Sequence, residues 1–164
     1  MSKRRRSFES GHRPKYLVIV DGTPECAVAL RYAGRRASRV TAGVALLSVV
    51  APPEAPPILG VGSLMEAEAT EEAQSMLDQA SASMREIAGV EPQTIIRVGG
   101  KADEIVKLID EDEDVAFLVL AAGIGKEGPG PLVSSLAGKG VATFPIPIVI
   151  VPGHLKPDEI DALA

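Results

Sequence analysis

Apolar residues along the chain follow two alternating patterns: short unbroken runs, and longer stretches in which they recur every third or fourth position. The unbroken runs read as strands buried on both faces. They are KYLVIVDG (15–22), GVALLSVV (43–50), TIIRV (94–98), AFLVLAAG (116–123) and PIVIVP (147–152). After the first run, Thr23 is placed to cap a helix, Pro24 suits its first position and Glu25 its dipole. Ala27, Leu30, Ala33 and Ala37 follow at helical spacing, leaving Arg31, Arg35, Arg36 and Arg39 largely for solvent. APPEAPPILGVGS (51–63) carries too much proline and glycine for a strand or helix and reads as a long loop. A long helix is predicted over 64–88, with Ala69, Ala73, Met76, Leu77, Ala80, Met84 and Ile87 as its stripe and Gly89 as its stop. Gly99, Gly100 and Lys101 lead into a helix striped by Ala102, Ile105, Val106 and Ile109. The acidic run EDED (111–114) reads as a solvated turn, and a short glycine-weakened helix precedes the fifth strand.

Strands alternating with helices predict an α/β fold, a doubly wound five-stranded parallel sheet with helices on both faces and right-handed crossovers. The expected division is a frayed basic tail over 1–14, one domain over 15–153, and a tail or short helix over 154–164. On such sheets ligands sit beyond the carboxyl ends of the strands, where strand order reverses. That rule marks the loops after the first and fourth strands, Asp21-Gly22-Thr23 and the stretch LVLAAGIGKEGPGPLVSSLAGKG (118–140).

Composition supports this reading. The chain has 164 residues, 46% of them hydrophobic but only 3% aromatic, as suits one core built from Val, Ile, Leu and Ala. A net charge of −5 gives the body no general attraction for nucleic acid. Lys3, Arg4, Arg5 and Arg6 could touch nucleic acid or anionic lipid, the plainer alternative being a solvated terminus. One cysteine excludes an internal disulfide, and no apolar run approaches the ~20 residues that span a bilayer. A soluble cytoplasmic protein is expected.

The glycines of 118–140 invite comparison with phosphate loops. A P-loop fails, because Val133 stands at its first glycine and Gly140 at its hydroxyl position. Gly123-x-Gly125-x-x-Gly128 spells the dinucleotide fingerprint, yet it follows the fourth strand, and Pro129 and Pro131 interrupt the helix start. Catalytic machinery is not evident: His12 lies in the tail and His154 after the last strand. Cys26 falls in the first helical turn, where the dipole could lower its pKa, the plainer role being a small buried hydrophobe. No His, Cys and carboxylate spacing suggests a metal.

Taken together, KYLVIVDGTPECAVALRYAGRRA, the second run ending in SVV, the fourth run with its loop, and FPIPIVIVP resemble the universal stress protein family from about Lys15 to Val151. The resemblance implies strand order 3-2-1-4-5, a homodimer through the last strand (147–152), and an adenine nucleotide between the first and fourth strands. ATP is the foremost candidate, with Mg2+ as an optional companion. By the same resemblance Asp21 lies near the adenosine, followed by Gly22 and the small hydroxyl residue Thr23, and Val49 and Val50 receive the adenine through their backbone. The family's glycine positions fall on Ala121, Ile124 and Ser134 when the motif is anchored on Leu120 and Pro145, and its hydroxyl position falls on Ser135. Gly123, Gly125, Gly128 and Gly130 could still build a differently shaped anion nest, with Ser134 and Ser135 donating hydroxyls and Lys126 or Lys139 supplying charge. The alternative is a Gly/Pro-rich surface loop that binds nothing. Two functional readings follow: a regulatory protein that binds an adenine nucleotide with little or no turnover, or a domain of the same family that has lost ATP and acts through protein–protein contacts or another small anion.

Overall fold

The computed structural model describes residues 4–54 and 60–164. Five strands, β1 (Lys15–Ile19), β2 (Gly43–Val50), β3 (Gln93–Val98), β4 (Val115–Ala122) and β5 (Ile148–Pro152), form one parallel sheet in the order β3-β2-β1-β4-β5. Successive side chains of each inner strand enter opposite cores. Val18, Leu46 and Val119 pack with α1 (Cys26–Val40) and α2 (Val61–Ala88), whereas Leu17, Leu47 and Leu118 pack with α3 (Lys101–Glu111) and α4 (Pro131–Ala137). Each such fully buried aliphatic side chain contributes about 1.5–3 kcal/mol, so these unbroken apolar runs hold the two helical layers to the sheet.

Several boundaries differ from the sequence expectation. α2 begins at Val61, inside the expected loop, while residues 55–59 of that loop lie outside the described residues. Gly89, at φ 65°, ends α2 and donates its N–H to Arg85 O, as a left-handed cap should. β5 starts at Ile148, because the Pro147 carbonyl already accepts from Leu118 N–H. In α1 the buried stripe includes Ala29 in place of Ala27, and in α3 it includes Leu108 in place of Ala102 and Val106. The rest of each stripe is buried as expected, Leu30, Ala33 and Ala37 in α1 and Ile105 and Ile109 in α3, so only single members were misplaced, which spacing alone cannot prevent when small apolar residues occur on two faces.

The ends of the chain require two larger corrections. Residues 4–14 are not a frayed tail, and the turn expected over 111–114 is present but half-buried over 112–114 against them; the two segments hold each other. Arg5 Nη1 donates to the carbonyls of Ile109 (2.5 Å), Asp112 (2.9 Å) and Val115 (3.4 Å), satisfying the carboxyl end of α3. Arg6 N–H donates to Glu113 O, His12 Nδ1 lies 2.6 Å from Asp114, and Lys15 Nζ lies 2.7 Å from Asp112. Ser7 is buried beneath the segment. Lys3, which the sequence also placed in the tail, lies outside the described residues. At the other end α5 (Pro157–Leu163) lies on α1: Arg31 clasps Asp161 with two bonds of 2.8 and 2.7 Å, and Arg35 joins at 3.2 Å. Arg39 donates to the Ala164 carbonyl, and Ile160 is buried below the pair. Three arginines expected to face solvent therefore grip α5.

Two substitutions test these contacts by urea denaturation. Gly153 sits where a Cβ would collide with the carbonyl oxygen of Ala122, so Gly153→Ala should lower stability by about 2 kcal/mol. Arg5→Ala should cost about 1–2 kcal/mol by leaving the last carbonyls of α3 short of donors. An unchanged midpoint for Arg5→Ala would return residues 4–14 to the status of a solvated tail.

Candidate functional site

β1 is the central strand, and the chain leaves its two sides in opposite directions. From β1 it turns up into α1 on one face; from β4 it runs through residues 123–130 into α4 on the other. A cavity of about 140 Å³ opens between them. Its floor is apolar, formed by Ile19, Cys26, Ala29, Val119, Leu120 and Ala121. Asp21, Thr23, Glu25 and Lys101 bring polar groups to it, and Pro129 through Val133 close the remaining side. Ligand pockets for drug-sized molecules begin near roughly 300 Å³, so this cavity as shaped accepts a fragment the size of a base or sugar.

Asp21 organises the rim. Its Oδ1 accepts from Thr23 N–H (3.1 Å) and Thr23 Oγ1 (2.7 Å), and its Oδ2 lies 4.0 Å from Lys101 Nζ. Thr23 does not cap α1 as expected. Its hydroxyl is spent on Asp21, and Glu25 occupies the cap position without a side-chain bond. Gly22 takes φ 75°, and a Cβ there would approach Met76 Sδ of α2 to 3.1 Å. This tight Asx turn leaves one carboxylate oxygen of Asp21 for the cavity.

Ala121 and Gly130, also singled out from sequence, line this cavity, whereas Val49, Val50, Gly123, Gly125, Ser134 and Ser135 do not. Val49 pairs with Arg97 in the sheet, and the Val50 carbonyl accepts from Gly99 N–H at 3.0 Å, so that acceptor is engaged. Gly123 and Gly125 lie in the loop beside the cavity, where Gly123 N–H is bonded to Pro129 O at 2.9 Å and Gly128 N–H to Gly125 O at 3.1 Å. Ser134 and Ser135 are exposed on α4, and Ser134 N–H is bonded to Gly130 O. Ile124 is 74% exposed and so does not plug the cavity. Lys126 is exposed on the loop and absent from the lining, and the Lys139 side chain lies outside the described atoms.

Two charged lining residues received no such role from sequence. Glu25, read only for its effect on the helix dipole, places Oε1 3.2 Å from where a Cβ on Gly123 would stand. Lys101 is the first residue of α3, which follows β3, a position the switch-point rule does not mark. Its signal was the doubled glycine before it, which also serves as a plain turn.

Burial pushes the Cys26 thiol up to about 11, with Asp21 and Glu25 adding to the effect and a backbone bond at Asp21 opposing it. Its Sγ donates to Ile19 O at 3.6 Å, so helix position does not activate it. Among the described residues no group of three or more His, Cys, Asp or Glu side chains is placed to hold a metal, so Mg2+ would have to be held largely by ligand phosphates. Also among the described residues, no helix is long and apolar enough to cross a membrane.

A five-stranded 3-2-1-4-5 sheet with an acid-rimmed slot where β1 meets β4 defines a doubly wound α/β domain, its slot lying where such sheets place ligands. The model of the universal stress protein family matches residues 13–152, and the chain belongs to that family. Solved structures agree in fold. The universal stress protein UspA from Lactobacillus plantarum superposes with a TM-score of 0.71 at 20% identity, covering 84% of this chain and 97% of that one. One from Archaeoglobus fulgidus, solved in complex with dAMP, gives 0.60 at 21% identity, covering 84% and 97%. One from Arabidopsis thaliana, with AMP bound, gives 0.59 at 18% identity, covering 85% and 91%. No curated protein matches the chain. α5 lies beyond the family match.

The buried thiol generates a prediction. With its pKa near 11, about one Cys26 in a thousand is thiolate at pH 8, against roughly one in ten at the ordinary value of 9.0. A disulfide reagent should therefore label the native protein about 50-fold or more slower than the urea-unfolded chain. The raised pKa also means that stability is intact below about pH 9 and falls as pH climbs from 9 through 11. Cys26→Ala should flatten that part of the stability profile, as read by denaturation at each pH.

Proposed function

We propose that the chain is a regulatory protein that binds an adenine nucleotide in the β1/β4 slot with little or no turnover. The observation that carries this reading is the slot itself. An apolar floor suits a flat heterocycle, and the free oxygen of Asp21 on its rim suits a sugar hydroxyl. Relatives of the same fold solved with AMP and dAMP support the ligand class. Slow or absent turnover fits a lining without histidine and with a thiol held protonated. A role in stress responses, residence in the cytoplasm and the presence of Mg2+ belong to the same proposal and rest on family membership.

Dimerisation through β5 is a further part of it. One edge of β5 is unpaired among the described residues, and Ile150 is 38% exposed there. Apolar edge strands of this kind are usually paired or covered.

A second reading has its own support. The glycine loop bonds to itself, and the cavity is small, as suits a domain that has lost ATP and works through protein contacts or a smaller anion. Isothermal titration with adenosine, AMP, cyclic AMP, ADP and ATP separates the two. The nucleotide reading expects one site per chain with at least one of these, weakened about tenfold by Asp21→Ala through loss of a charged hydrogen bond. No heat with any of the five would leave the second reading standing. Light scattering at micromolar concentration should give twice the chain mass of 17.1 kDa.

A further inference from the structure

We propose that this slot selects adenine ligands carrying a single phosphate, that it rejects triphosphates, and that Lys101 supplies the phosphate's counter-charge. The inference rests on the nucleotide reading above and deepens it. Three charged groups, not all of one sign, line the cavity: Asp21, Glu25 and Lys101. Two carboxylates and one ammonium leave a net charge of −1, so the site starts without surplus positive charge.

Lys101 is the one cation in that lining among the described residues. At 4.0 Å it sits at the outer limit of an ion pair with Asp21, and its side chain is 39% exposed. Among the described residues no short bond ties it down, so it can turn to a phosphate at small cost. One ammonium offsets about one charge.

A triphosphate would draw on loop amides that are in part already bonded. Gly123 N–H and Gly128 N–H are bonded within the loop, Ser134 N–H is bonded to Gly130 O, and Pro129 and Pro131 have no N–H at all. Pro129 and Pro131 stand in the lining itself. The carboxylate of Glu25 lies over Gly123, where a phosphate chain leaving the slot towards the glycines would meet it. Each added phosphate thus brings negative charge towards Glu25, and among the described lining residues no cation besides Lys101 is there to receive it. At short range and partial burial, an unfavourable charge contact of this kind is worth on the order of tenfold in affinity.

The test is a calorimetric series at low salt with adenosine, AMP, ADP and ATP, with and without Mg2+, on the full chain and on Lys101→Met, Lys101→Arg and Glu25→Gln. AMP should bind best, and ATP about tenfold or more weakly. Lys101→Met should weaken AMP about tenfold while changing adenosine less than about twofold, and Lys101→Arg should restore much of the loss. Glu25→Gln should narrow the gap between AMP and ATP. The ³¹P resonance of bound AMP should move in Lys101→Met, which a merely structural lysine would not cause. ATP binding as tightly as AMP, or AMP unaffected by Lys101→Met, would overturn the inference while leaving the nucleotide reading intact. Absence of binding by all four ligands would overturn both.

Discussion

The burial of β1 on both faces and both edges is the constraint on which the remainder of the structure depends. Leu17, Val18, Ile19 and Val20 are almost wholly inaccessible, and β2 and β4 occupy the two hydrogen-bonding edges. A strand enclosed in this way can turn polar only where it leaves the sheet. Asp21 is that first polar position, and it comes with the sharp turn at Gly22 that sends the chain into α1. Because β4 exits to the opposite face, the end of β1 has a helix on one side and none directly on the other. The slot is thus a consequence of topology, and its leading acid is a consequence of the strand's length.

Features with a local cause were legible in the chain. The five strands and the helix stop at Gly89 follow from unbroken apolar runs and from one residue's tolerance of positive φ, and each is visible within a short window. Features with a distant cause were not. The basic segment before β1 and the acids of 111–114 each look like solvated charge until the fold sets them together across about a hundred residues. The same holds for Arg31, Arg35 and Arg39 against the last eight residues. Lys101 belongs to this group: nothing near it in sequence points to Asp21, and only the crossing of α3 beneath the sheet brings it to the rim.

Charge compensation at the two ends differs in kind from charge at the slot. In the clasp of residues 4–14 on α3, donors meet orphan carbonyls and the acids meet a lysine, an arginine and a histidine, so both partners' needs are met within the protein. The Arg31–Asp161 pair likewise closes on itself, and it draws the Asp161 carboxyl below its ordinary range mainly through that hydrogen bond. At the slot, the Glu25 carboxylate has no hydrogen-bond or ion-pair partner among the described residues, and Lys101 only a distant one. Ionic groups that remain loosely paired beside an apolar cavity are the groups that can exchange a protein contact for a ligand contact.

The glycines of 123–130 show why residue content is a weaker guide than bonding. Glycine is useful in a phosphate loop because it lets N–H groups converge on an anion. The same freedom lets a loop fold back and bond to itself, as the N–H groups of Gly123 and Gly128 do with the carbonyls of Pro129 and Gly125. Such a loop has spent part of its donor set, and a ligand would have to offer those N–H groups better partners than the carbonyls already in place. A monophosphate seated at Lys101 makes no such demand, since it can be held at the rim while the loop stays closed. A triphosphate does, because its outer phosphates would lie against the loop. On the nucleotide reading, the internal bonds of Gly123, Gly125, Gly128 and Pro129 bear on how much negative charge the slot holds more than the number of glycines does.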